Sequence, residues 1–346
     1  MKYVLIVAAV LAFLVMPVSA LELAAPSVPD SAAERMPEQT DAFGEGLSEL
    51  VRNAIAKIYP QWQDAKKICL SVLAAAMAVS FLKTFQGIGK RTMDLAAVAV
   101  TAVVLLKSSH SMIHLAAATV QQMTDYGKLL FPVMTAALAA NGGVTASAAL
   151  YAGTAAFDLL LGSLLSGMLV PAVYLFLAMS VGSAATGEVL LKQLRDLIKT
   201  AISWCLKTII TVFTTYMSIT GVVSGTTDAA ALKATKITIS SAVPVVGGIL
   251  SDASEAVLIS AGMMKNAAGI YGILAVLAIF LEPFLQIGVQ YLMMKTASAL
   301  CCVFSEGSIT ALTEDFSTAM GLLLAMTGSV CLFLLVSTVC FMKGVG

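Results

Sequence analysis

The chain has 346 residues, 59% hydrophobic and 12% charged, with 20 basic and 20 acidic side chains. Soluble domains carry about 25% charged residues, so this composition, with a mean hydropathy of +0.93, belongs in a membrane. The zero net charge leaves no footprint for nucleic acid. Few aromatics and many small residues suit closely packed membrane helices. The six cysteines lie in or beside apolar runs without C-x-x-C spacing, and they read as small buried hydrophobes.

In chain order, residues 1–20 read as a signal peptide. Lys2 opens it, Tyr3–Val15 forms an apolar core, and Val18-Ser19-Ala20 makes a small-residue cleavage site. That core is shorter than the about 20 residues of a spanning helix. Cleavage puts the mature N-terminus outside the cytoplasm; an uncleaved anchor is the alternative. Residues 21–67 form an exported lead-in. Leu21–Thr40, rich in Pro, Ala, Ser and acid, reads as a disordered tail. Asp41–Lys67 reads as an amphipathic helix pair interrupted at Pro60, lying on the outer membrane surface, against a partner, or in solvent.

Residues 68–343 form a polytopic membrane domain with six expected spans: 68–85, 93–109, 159–181, 201–223, 271–294 and 318–342. Lys83, Lys90 and Arg91 after the first span, and Lys192, Arg195 and Lys199 before the fourth, mark cytoplasmic ends. His110 and His114 share a helix face, but the chain has no third His and they lack the Glu of H-E-x-x-H, so interfacial polar residues are a better reading than a metal site. Lys128, Pro132 and Asn141-Gly142-Gly143 interrupt the apolar runs between 115 and 156, which suggests two short helices dipping into the membrane and returning. Pro171 is expected to kink the third span.

The span 201–223 carries a polar seam of Lys207, Thr211, Thr214, Thr215 and Ser218. These hydroxyls can bond their own backbone, and Lys207 can snorkel to the cytoplasmic face. In the span 271–294, Glu282 lies near the middle, with Gln286 and Gln290 at i+4 and i+8. A charge at the bilayer centre costs at least about 2.5–3.5 kcal/mol. It calls for a cation, of which Lys207 is one candidate, a water-filled path, a proton, or a position at an interface. Lys295–Ser317 is expected to be a cytoplasmic loop, although it lacks a positive bias.

Between these spans lies the most distinctive stretch. Pro244 and Gly247-Gly248 stop one helix; Asp252 and Glu255, spaced as in a capping box, start another that ends at Lys265-Asn266. This is a hinged pair of charged helices, expected outside the cytoplasm. The order T-T-D-A-A-A-L-K-A-T-K (226–236), A-V-P-V-V-G-G-I-L-S-D-A-S-E-A-V-L (242–258) and K-N-A-A-G (265–269) resembles the stage III sporulation protein AE family of endospore-forming bacteria. The resemblance implies a multi-pass protein of the mother-cell membrane around the forespore. It also implies that other stage III sporulation membrane proteins are its partners in a channel or transport apparatus, and it brings no catalytic residues and no cofactor.

The fold class is therefore all-α, a polytopic transmembrane bundle with a signal peptide and re-entrant, hinged amphipathic helices. The expected function is a membrane subunit of a secretion-like mother cell–forespore complex; the alternative is a permease-like secondary transporter acting alone. No Walker A, Rossmann or nucleophile-elbow pattern occurs, so an ATPase, if one is needed, is a separate chain. An intramembrane enzyme is disfavoured, because Asp252 and Glu255 resemble a helix cap rather than two carboxylates sharing a site.

Overall fold

A computed structural model describes residues 26–37, 43–82, 90–140, 144–219, 267–304 and 307–344. The signal peptide and the motif region from 226 to 266 lie outside the described residues. What is described is helical: α1 (Asp30–Ala33), α2 (Phe43–Leu82), α3 (Lys90–Ala140), α4 (Val144–Leu164), a π turn (Leu165–Leu169), α5 (Val170–Thr186), α6 (Val189–Ile219), α7 (Ala267–Phe304) and α8 (Ser308–Gly344).

The helices are longer and less interrupted than the sequence suggests. Pro60 does not divide α2. The helix carries Leu50, Ala54, Ala65, Val72 and Ala76 buried along one face, chiefly against α7. The Gln61 amide, in the orientation that satisfies its neighbours, also donates to the carbonyls of Lys57 and Ile58 in the turn that Pro60 disturbs. Lys128 and Pro132 likewise fail to break α3, which buries Met123, Tyr126, Leu130, Phe131, Met134 and Leu138 on one face. In place of two short dipping helices, the described residues form long helices, Lys90–Ala140 and the rod that begins at Val144, which run antiparallel with Gly127 facing Asp158 and Thr124 facing Gly162. At Pro171 the rod stays helical but the preceding turn widens into a π turn, with Val170 N–H bonded to Leu165 O, so the ring meets a helix already loosened at its N-terminal side. The expected loop 295–317 is mostly helix, because α7 runs to Phe304 and α8 starts at Ser308, with Gly307 supplying a positive φ of 119° at the turn. Lys295 of α7 pairs with Glu314 of α8 across this hairpin.

Five helical stretches are long and apolar enough to cross a membrane: Leu95–Ala139, Leu150–Thr186, Val189–Met217, Gly269–Val303 and Ser308–Met342. The expected spans 159–181, 271–294 and 318–342 lie inside such stretches, and 93–109 and 201–223 overlap two others in part. Of the expected span 68–85, residues 68–82 form the end of α2.

Cross-contacts fix the topology. Leu130 meets Gly272 while Ser108 meets Gln290, so α3 and α7 run antiparallel. Met342 meets Gly269 and Tyr291 meets Gly321, so α7 and α8 are antiparallel. Ala54 and Lys57 lie by Ala278 and Glu282, and Cys69 reaches Thr296, so α2 and α7 are parallel. Arg195 meets Asp315 and Phe213 meets Phe333, so α6 and α8 are parallel. The starts of α2 and α7 and the end of α8 therefore gather at one end of the bundle. The end of α2, the start of α3, the end of α7 and the start of α8 gather at the other.

The most apolar stretch of α8 is 94% buried and that of α6 only 22%. Thus α8 is the axis, packed on by α7, α3, α5, α6 and α4, and α6 is a peripheral helix with an outward face. The hydroxyls of Thr327, Ser329 and Thr338 inside α8 donate to carbonyls one turn back, which keeps polar groups paired within an apolar axis.

Candidate functional site

On α7 the spacing of Glu282, Gln286 and Gln290 places all three on one helix face. That face is turned toward the N-terminal segment, α2 and α3. Glu282 is held by Arg35, whose Nε lies 2.7 Å from Glu282 Oε2. The contact is an ion pair without hydrogen-bond alignment at that oxygen. Gln286 Nε2 donates to Glu282 Oε1 at 3.1 Å, and Gln61 of α2 accepts from the same amide at 3.2 Å. Gln290, 4% exposed, donates to Ser108 of α3 at 2.9 Å. Each member of the seam therefore has a protein partner.

Arg35 arrives from a segment expected to be disordered. Residues 26–37 instead form an ordered strap. Ala32 and Ala33 N–H bond Pro29 O at 2.8 and 2.9 Å, and Val28 and Ala32 are buried in the core. Short as it is, α1 docks on α7 and turns Arg35 toward Glu282. Beside the pair lies a cavity of about 180 Å³ lined by Glu34, Arg35, Asn53, Lys57, Ala278 and Glu282 among others. Lys207, the candidate cation from sequence, is exposed on α6 and is not the partner of Glu282. The polar face of α6 also bonds to itself, with Thr214 donating to Ile210 O and Thr215 to Thr211 O.

Two further sets of ionisable side chains lie within the bundle. Arg195 of α6 reaches Asp315 of α8 at 2.7 Å and Asp196 at 2.9 Å, while the Ser180 hydroxyl of α5 donates to Phe176 O. Asp158 of α4 is 3% exposed and faces Gly127 of α3. Sequence reasoning does not single out Asp158; its spacing from Thr154 and Gly162 is the sign that it shares their inward face. Nothing local announces the Arg35–Glu282 and Arg195–Asp315 pairs, because each joins distant parts of the chain.

His110 bonds the Tyr174 hydroxyl through Nδ1 at 2.9 Å, and His114 is exposed one turn on. Among the described residues no three His, Cys, Asp or Glu side chains gather as metal ligands. Pro244, Gly247, Gly248, Asp252, Glu255, Lys265 and Asn266 lie outside the described residues.

A bundle of membrane-length helices around a buried apolar axis, with polar groups paired at helix interfaces, defines a multi-helix membrane protein. Residues 35–344 match the model of the family Stage III sporulation protein AE, and the chain belongs to that family. It is 25% identical over 215 residues to Stage III sporulation protein AE of Bacillus subtilis (strain 168). The alignment covers 62% of this chain and 54% of that relative, so the match spans about half the relative's length. No solved structure matches the chain.

Proposed function

We propose that this chain is a multi-pass membrane subunit of a mother cell–forespore channel or transport complex required for endospore formation, acting without an enzymatic step of its own. The family match over residues 35–344 carries this reading. The mother-cell membrane around the forespore is its proposed location, and other stage III sporulation membrane proteins are its proposed partners. Lys90 and Arg91 at the start of α3 and Lys192, Arg195 and Lys199 near the start of α6 lie toward one end of the bundle, which favours placing that end in the cytoplasm. Both chain ends and the 226–269 motif then face the space between the two membranes. The motif from Pro244 to Asn266 is proposed as the docking element there.

The closed seam on α7 favours a scaffold role for this surface, since Glu282 is ion-paired with Arg35 and Gln286 and Gln290 donate hydrogen bonds within the protein. A lone secondary transporter is the second reading, favoured by the buried Asp158. Recovery from sporulating cells in mild detergent separates the two. The complex reading expects co-purification with other sporulation membrane proteins, and loss of that association and of spores when Gly247 and Gly248 become Leu, with membrane insertion retained. A chain that stays solitary and moves a solute by itself in liposomes overturns it.

A further inference from the structure

We infer that Asp158 is a proton-binding site inside the bundle, at the junction of α3, α4 and α8. The residue is 3% exposed. Among the described residues no hydrogen bond or ion pair reaches its carboxyl group. The other two carboxylates of the bundle interior, Asp315 and Glu282, each have an arginine at 2.7 Å. A buried charge with no partner is among the costliest arrangements in a protein, and more so in a membrane. An acid kept here without a fixed cation is suited to gaining and losing a proton.

The surroundings support this use. A Cβ on Gly127 would stand 2.8 Å from Leu334 and 3.4 Å from Asp158 Oδ1 and the Phe131 ring, so the bare backbone of α3 lets α8 pack closely here, with the carboxyl group at contact distance from the same point. The charges that act on Asp158 are Lys128 and Asp125 of α3. Those two pair with each other at 2.8 Å near the surface, and Gln121 donates to Asp125 at 2.9 Å. On α8, the packed stretch around Leu334 has Cys331 as its titratable side chain; on α6, Tyr216 stands a turn away against Gly153. Tyr126 of α3 faces Tyr271 of α7. Both protonation states thus have a place. The neutral acid fits the apolar walls while Lys128 stays with Asp125, and the carboxylate draws Lys128 inward. The π turn Leu165–Leu169 begins seven residues further along the same rod and supplies a flexible joint where such a shift is taken up. This inference does not depend on the complex reading.

Dicyclohexylcarbodiimide, an apolar reagent for protonated carboxyl groups, tests it on the full chain in detergent or liposomes, with modified residues located by mass spectrometry from about pH 5 to about pH 9. Asp158 is expected to react at least about tenfold faster than Asp315 and Glu282, with the rate falling as pH rises. Sodium chloride should give no protection. Lys128→Ala, which removes the cation favouring the charged form, should extend the reaction to higher pH. An unreactive Asp158 across the range, or one reacting no faster than the paired acids, overturns the assignment. Protection by sodium overturns the proton in favour of an alkali-metal ion.

Discussion

Removing Arg35 should loosen the strap and destabilise the bundle through Glu282. Deleting one partner of a fully buried ion pair costs about 3–5 kcal/mol, because the other charge stays buried. Here the Arg35 and Glu282 side chains keep 23% and 15% exposure, and Gln286 still donates to Glu282 Oε1. The expected cost of Arg35→Ala is therefore lower, about 2–3 kcal/mol. Glu282→Gln removes the charge at nearly constant shape and leaves Arg35 beside Glu34 at the cavity, for a loss of about 1 kcal/mol. In Arg35→Ala/Glu282→Gln no buried charge is stranded, so the double variant should regain about 1–2 kcal/mol against the sum of the singles. Unfolding of the purified chain in mixed detergent–dodecyl sulfate micelles, followed by helical circular dichroism, measures the cycle; proteolytic release of residues 26–37 gives a local readout. Lys207→Ala combined with Glu282→Gln serves as the control and should be additive. Additivity within about 0.5 kcal/mol for the Arg35 pair would refute the reasoning.

Arg195→Ala should cost about 1–2 kcal/mol more than Asp315→Asn in the same assay, because the first strands a buried carboxylate and the second leaves Arg195 with Asp196. Gly153→Ala drives a methyl into the rigid Tyr216 ring and should cost about 1–3 kcal/mol, whereas Gly269→Ala meets the flexible end of Met342 and should cost less than about 1 kcal/mol; equal losses would contradict the packing at these two helix crossings. In a chain stripped of native cysteines, Asn53→Cys, at an exposed position lining the cavity, should react with a water-soluble thiol reagent, while Gln290→Cys stays silent. Reaction at Gln290→Cys would mean that water reaches the seam.

The sequence makes the class of this protein readable, and the reason is lipid. A chain with 12% charged residues must hide its backbone in helices, so all-α architecture and most spans follow from apolar run length. Helix ends were harder to read. Pro60, Lys128 and Pro132 carry the local chemistry of breaks, yet α2 and α3 pass through them. Burial against neighbouring helices outweighs a lost backbone bond, and that burial is set by residues far away in sequence. The Glu282 face was legible from its i, i+4, i+8 spacing, but its cation was not. A carboxylate in an apolar run signals that a partner is needed without saying where it comes from, and the partner proved to be Arg35 in a segment whose composition reads as disordered.

That pairing changes what the polar face of α7 implies. Polar residues repeating along a membrane helix suit either a water path or a contact between helices, and periodicity does not separate the two. Partner identity does. A water path leaves donors and acceptors facing one another across open space, whereas here Glu282, Gln286 and Gln290 are each met by a side chain from a different element: the strap, α2 and α3. The seam therefore registers three parts of the fold against α7, and opening it requires breaking contacts in all three at once. Asp158 has the opposite character. It is more deeply buried than Glu282, yet no described side chain is fixed to it, so its state can change without dismantling an interface. If this bundle responds to a signal within the membrane, the unpaired acid on α4 is a better place for it than the satisfied seam on α7.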